Sequence, residues 1–251
     1  MTLPEPAYNR RERTLAAERD EVETKRRDAG SGRAAAVAID GPVASGKSAV
    51  GRQVARRLGY RFIDTGMMYR ALTWLALERK TDLHDEAALT RLAEAASMRV
   101  EPDTGRIMVG GADVTGRLRS AEVGEAVSLV SRVAGVRKAM VALQRELARG
   151  GGIVMAGRDI GTVVLPDAPV KVYLDASPDE RVRRRHQELL AAGPGVSADA
   201  VREELALRDA IDSERAVSPL RPAKDAVIID TGHLSLEQVV ERILELTPCP
   251  S

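Results

Sequence analysis

The sequence predicts an α/β fold in which helices flank a central parallel sheet, and two observations carry that prediction. From residue 34 onward, short β-branched runs alternate with segments of helical period, the pattern of strands buried on both faces and joined by helices. The first apolar run is followed directly by Gly41-Pro42-Val43-Ala44-Ser45-Gly46-Lys47-Ser48, which fits the phosphate-binding pattern G-x-x-x-x-G-K-[ST] at every position. Such a loop belongs between a strand and a helix.

Taken in chain order, residues 1–33 stand apart. They hold eight Arg/Lys and seven Asp/Glu with few apolar residues, and end in Gly30-Ser31-Gly32. That composition predicts a solvated or disordered extension; it has neither the apolar centre of a secretory signal nor the acid-poor character of a mitochondrial presequence. Residues 34–251 are expected to form one domain. Strands are predicted at 37–40, 61–63, 153–155, 170–174 and 227–229. After Ser48, Val50, Val54 and Leu58 recur every four residues, and Gly59 sits at the C-cap position of that helix. Residues 98–115 alternate around Thr104-Gly105 and Gly110-Gly111, which predicts a small hairpin insertion. A further helix runs through Val136, Met140, Leu143 and Leu147 and stops at Gly150-Gly151-Gly152. Between 181 and 215, two helices are joined by Gly193-Pro194-Gly195. The first opens on Ser177-Pro178-Asp179-Glu180, a serine cap followed by proline at the first helical position. On it Arg181, Arg184 and Arg185 are spaced to share a face. In the second helix the stripe begun by Val201 and Leu205 continues as Arg208, Asp212 and Arg215, so charge replaces apolar surface on the inward side. Such a pair fits a lid that closes over a triphosphate, and equally a solvated, ion-paired hairpin.

Composition narrows the function. Lys+Arg (38) nearly balance Asp+Glu (37), which leaves no strong field for nucleic acid or membrane, and six aromatics are too few for a surface that stacks bases. The one cysteine, Cys249, excludes an intrachain disulfide and a thiolate metal cluster and suggests a reducing cytoplasm.

The phosphate loop implies a nucleoside triphosphate. Its glycines let backbone N–H groups converge on the phosphates, Lys47 reaches the outer phosphates, and the Ser48 hydroxyl suits Mg²⁺. A GTPase would read guanine with Asn-Lys-x-Asp, but the only asparagine, Asn9, precedes the loop and is followed by Arg10. Asp113-Val114-Thr115-Gly116 matches D-x-x-G, a pattern short enough to arise by chance. Arginine placement favours a kinase, because phosphoryl transfer between two polyanions needs several guanidiniums. The candidates are Arg70, Arg137, Arg158 and the arginines from 181 to 215.

From about residue 34 to the C-terminus, the chain resembles the bacterial cytidylate kinases. The resemblance rests on Ile39-Asp40-Gly41-Pro42, Asp64-Thr65-Gly66 to Tyr69-Arg70, Gly157-Arg158-Asp159-Ile160-Gly161-Thr162-Val163-Val164, Pro166-Asp167-Ala168, and Arg208-Asp209 to Arg215-Ala216-Val217-Ser218-Pro219-Leu220. It implies a P-loop NTPase fold with a monophosphate-binding region at about 64–125 and a helical lid at about 181–215. It also implies transfer of the ATP γ-phosphoryl group to CMP or dCMP with Mg²⁺, in a cytoplasmic monomer of pyrimidine nucleotide metabolism. Residues Gly41 to Ala49, with Arg184 and Arg185, would hold ATP, and Ser48 the metal. Arg70, Arg158 and Arg215 would hold the acceptor's phosphate; Thr65, Ser128, Arg137 and Asp159 would address cytosine; Arg208 and Asp212 would lie by its phosphate and sugar. Lys47, Arg158, Arg184 and Arg215 would carry the transfer. Many nucleoside monophosphate kinases place an acid before Gly-Arg, where this chain has Ala156, so Asp40 or Asp64 would have to supply the carboxylate near Mg²⁺. Two other readings share these features: a P-loop kinase for another small acceptor such as UMP, and an ATP-binding switch without transfer.

Overall fold

The computed structural model describes residues 35–101, 104–193, 195–215 and 217–247, so the extension expected at 1–33 lies outside the described residues. Strand β1 (Ala36–Asp40) runs into the phosphate loop and helix α1 (Lys47–Leu58). Next come β2 (Arg61–Asp64), α2 (Thr65–Glu78) and α3 (Glu86–Ala95), then β3 (Met98–Glu101), β4 (Arg106–Val109) and β5 (Ala112–Asp113). Helices α4 (Ala121–Ser131) and α5 (Ala134–Ala148) lead to β6 (Ile153–Ala156), a π-helical turn (Ile160–Val164) and β7 (Val170–Asp175). The chain finishes with α6 (Pro178–Ala192), α7 (Ala198–Glu214), β8 (Val227–Asp230) and α8 (Leu236–Glu245). Every predicted strand forms, each one residue longer than expected.

The main sheet has the order β2-β6-β1-β7-β8 and is parallel throughout. Its inner strands β1 and β6 are buried along their whole length because both faces are covered, whereas the edge strand β8 leaves Val227 and Ile228 exposed. Along β6, Ile153 and Met155 pack with α2, α3 and α5, while Val154 and Ala156 pack with Val50 and Val54 of α1 and Val240 and Ile243 of α8. Burying each of the Val, Ile and Met side chains contributes roughly 1.5–3 kcal/mol. The insertion is a three-stranded antiparallel sheet, β3-β4-β5, rather than a hairpin. Val109 pairs with Ala112 across Gly110-Gly111, both at positive φ, so the two glycines make a second tight turn that folds the chain back once more. Helices α6 and α7 share a small core of Val182, Val201 and Leu205, against which Val43 of the phosphate loop packs. No helix among the described residues is long and apolar enough to cross a membrane.

The parallel sheet fixes where function sits. The carboxyl ends of β1, β2 and β6 lie side by side, because Ala156 is in register with both Ile39 and Asp64. They feed the phosphate loop, Asp64-Thr65 and Gly157-Arg158-Asp159, so three separated segments converge at one crevice.

Candidate active site

The phosphate loop is shaped by its glycines. Gly46 has φ 91°, and at Gly41 a Cβ would stand 2.1 Å from the Leu174 carbonyl oxygen, so neither position takes a side chain. Lys47 opens α1, is 8% exposed, and donates to the Pro42 carbonyl (2.5 Å) and to Ser45 Oγ (3.4 Å). Burial, and after it the charge of Arg158, pushes the Lys47 pKa well down, so an anion drawn alongside favours the charged form. Ser48 Oγ donates to Asp64 Oδ2 at 2.5 Å, while Asp64 Oδ1 accepts from Gly66 N and caps α2. The hydroxyl and carboxylate oxygens are hard donors of the kind Mg²⁺ takes. Val43, Ala44, Gly46, Lys47, Ser48 and Ala49 line a cavity of about 300 Å³. Gly41, Pro42 and Ser45 form the back of the loop, where the Ser45 carbonyl accepts from Thr231 Oγ1.

Across that cavity stand all nine residues expected on the acceptor side: Thr65, Arg70, Ser128, Arg137, Arg158, Asp159, Arg208, Asp212 and Arg215. Thr65 Oγ1 donates to the Ala156 carbonyl, and Arg70 Nη1 to the Leu118 carbonyl. Arg137 Nη2 donates to Asp159 Oδ2 at 2.6 Å, with side chains 2% and 5% exposed. The same guanidinium donates to the Ser131 carbonyl and lies 5.2 Å from the centre of the Tyr69 ring. Asp212 bridges two cations: Arg158 Nε at 2.8 Å and Arg215 Nη1 at 3.2 Å. Arg208 reaches Glu204 one turn back on α7.

The electrostatics of this wall point to a polyanion. Seven arginines and Lys47 line the cavity against four carboxylates, Asp64, Asp159, Glu188 and Asp212. Arg70 is pushed down to about 10 by burial and then by the like charges of Arg208, Arg185 and Arg119. Burial and neighbouring guanidiniums also lower Arg208 and Arg215. Buried N–H groups on Arg185, Arg208 and Arg215 have no hydrogen-bond partner among the described residues. Guanidiniums held together against their own repulsion are relieved by phosphate oxygens, which accept the remaining N–H bonds.

The stripe on α6 divides. Arg185 lines the cavity, but Arg184 lies outside it: its Nε donates to Glu180, and its two Nη groups donate to Thr231 Oγ1 and the Thr231 carbonyl. Arg181 is likewise taken up by Asp209 at 2.6 Å. Spacing put the three on one face; tertiary partners then turn Arg181 and Arg184 away, while Arg185 pairs with Glu188 at 3.0 Å and the two line the cavity together. Of the two acids considered for the metal, Asp64 stands beside Ser48, whereas both oxygens of buried Asp40 accept backbone N–H bonds from Ile160 and Gly161. Two charged lining residues went unrecognised in the sequence: Arg119 and Glu188, which pair at 3.2 Å. Neither has a periodic or motif signal, since each is one charge among many.

Residues 37–248 match the cytidylate kinase family. The chain is 55% identical to a cytidylate kinase of Geobacillus kaustophilus over 84% of this chain and 95% of that one. It is 52% identical to one from a Geobacillus species (strain WCH70), again over 84% and 95%, and 49% identical to one from Pelotomaculum thermopropionicum over 83% and 93%. With the phosphate loop, the arginine wall and the buried Arg137–Asp159 pair in one crevice, and with a match that spans nearly all of the described residues, this chain belongs to the cytidylate kinase family.

Proposed function

We propose that this chain transfers the γ-phosphoryl group of ATP to CMP or dCMP, giving ADP and the corresponding cytidine diphosphate. An oxygen of the acceptor's phosphate attacks the γ-phosphorus, and the bond from that phosphorus to the β–γ bridging oxygen breaks, leaving the electron pair on ADP. The observation that carries the cytidine assignment is the buried Arg137–Asp159 pair in the wall of an arginine-rich cavity. A fixed carboxylate accepts a hydrogen bond from cytosine's amino group, and the adjacent guanidinium donates to its ring acceptors. Arg70, Arg158 and Arg215 hold the acceptor's phosphate, and Arg208 and Asp212 lie by its phosphate and sugar. Lys47, with Arg158, Arg215 and Arg185, draws charge off the migrating group, while Arg184 fixes the base of α6. Ser48 and Asp64 would hold Mg²⁺, which would supply neutralisation of phosphate charge. Residues 64–125 act as the monophosphate-binding region and 181–215 as the lid. The same reading has the chain act in the cytoplasm as a monomer, without nucleic acid or membrane as a partner.

The test is ADP release with ATP and Mg²⁺ fixed and CMP, dCMP, UMP, AMP and GMP compared. The proposal expects the two cytidine nucleotides first, UMP behind them and the purines last. A chain that prefers AMP, or treats UMP and CMP alike, is a different P-loop kinase.

A further inference from the structure

We infer that Asp40 is a positioning residue for this transfer, tying the turn that holds the acceptor to the start of the loop that holds ATP. The inference rests on the acceptor reading above. Asp40 ends β1 and is followed at once by Gly41, the first residue of the phosphate loop. Its Oδ1 accepts from Ile160 N and its Oδ2 from Gly161 N, each at 2.7 Å, across 120 residues of chain. Those two N–H groups open the turn Ile160–Val164, directly after Arg158 and Asp159. The first N–H groups of a helical turn have no partner inside it and need a cap. Asp159 precedes the turn but supplies no side-chain cap, because its carboxylate is engaged with Arg137. Asp40 therefore provides, from a neighbouring strand, the cap that Asp159 gives up for the cavity. At 3% exposure no bulk water replaces the bonds if the carboxylate is lost. The turn also lies close against Asp40: a Cβ on Gly161 would stand 3.3 Å from both Asp40 Oδ2 and Lys171 Cδ, tighter than ordinary contact. Arg158 and Asp159, which address the acceptor's phosphate and its base, therefore take their positions from the residue that immediately precedes the ATP loop.

Asp40→Asn keeps the shape but sets an NH₂ group against a backbone N–H. The KM for CMP is expected to rise by about tenfold or more while the KM for ATP stays within about twofold, since a misplacement near 1 Å costs on the order of 10²-fold in such sites. A purely structural role would weaken both substrates together. A folded variant with an unchanged KM for CMP, or with both constants raised alike, overturns the inference. If the variant does not fold, ADP is titrated into the ¹⁵N-labelled wild type without acceptor. The Ile160 and Gly161 amide resonances should then move with those of the phosphate loop, and resonances that stay fixed overturn it. A wild type that fails to bind CMP removes the acceptor reading and this inference with it. A wild type that binds CMP beside an Asp40→Asn variant that binds it equally removes the inference alone.

Discussion

Asp159→Asn is the perturbation that separates recognition from folding. Asp159 and Arg137 are both almost fully buried and 2.6 Å apart. Asp159→Ala would leave the guanidinium with only the Ser131 carbonyl and the Tyr69 ring as partners. Orphaning a buried charge in that way costs about 3–5 kcal/mol, a large part of the roughly 5–15 kcal/mol that holds a domain together. Asparagine keeps one carbonyl oxygen for Arg137 and turns its NH₂ toward the acceptor. That NH₂ group meets cytosine's amino group as donor against donor, but donates to uracil's carbonyl. One lost bond plus one unpaired buried group comes to about 1–3 kcal/mol, or roughly 10- to 100-fold in kcat/KM for CMP. The UMP value should fall less or rise, so the CMP-to-UMP ratio narrows by at least about tenfold. ADP release with both acceptors, beside thermal melts of wild type, Asp159→Asn and Asp159→Ala, measures all of this. Equal losses for CMP and UMP in a folded Asp159→Asn variant would refute the assignment of Asp159 to the base.

Three further outcomes are expected. Lys47→Ala should lower kcat by about 10²-fold or more with the fold intact by circular dichroism, because a charge stabiliser of the migrating group is lost; near-normal turnover would defeat its role. Ala156→Asp should lower the half-saturating Mg²⁺ concentration, since Ala156 is in register with Asp64 and a carboxylate there adds a second acid near Ser48; an unchanged value in a folded variant would mean that Asp64 organises the metal unaided. Asp40 is pushed up to about 6, chiefly by burial and further by Asp159, against its two backbone bonds and the charge of Lys47. As pH falls below about 6 one of its oxygens becomes a donor facing an N–H, so kcat/KM for CMP should drop along an acid limb that Asp40→Asn lacks. The stability sign is opposite: a carboxyl with a raised folded pKa holds its proton better folded than unfolded, so its contribution declines as pH rises from about 4 to 6. An acid limb that persists in Asp40→Asn belongs to another group.

The fold was legible where one physical cause acts locally. Strands buried on both faces are almost wholly apolar, so β1 and β6 stand out as apolar runs, β7 shows through its buried Val170, Val172 and Leu174, and the phosphate loop is visible because its backbone path demands glycine at fixed offsets. The helix boundaries at Ser177 and Gly59 follow from caps that lie within a few residues of each other. Recognition chemistry was not legible in that way. Arg137 on α5 and Asp159 after β6 meet only because α5 packs against the turn that follows β6, and nothing at either position announces the other; only resemblance named them together. Arg184 and Arg185 are adjacent, yet Glu180 and Thr231 claim one and the cavity keeps the other, a choice made by tertiary neighbours. The cap from Asp40 to the turn after Asp159 likewise has no sequence signal, since a five-residue π turn carries no repeat that a pattern can reveal.

The most direct test of the account is to follow the terminal phosphate itself. With [γ-³²P]ATP, Mg²⁺ and CMP, label should leave ATP and appear in CDP in equal amount to the ADP formed, with negligible inorganic phosphate and no turnover when CMP is omitted. Label that collects as inorganic phosphate, or that stays in ATP whether or not CMP is present, would contradict it.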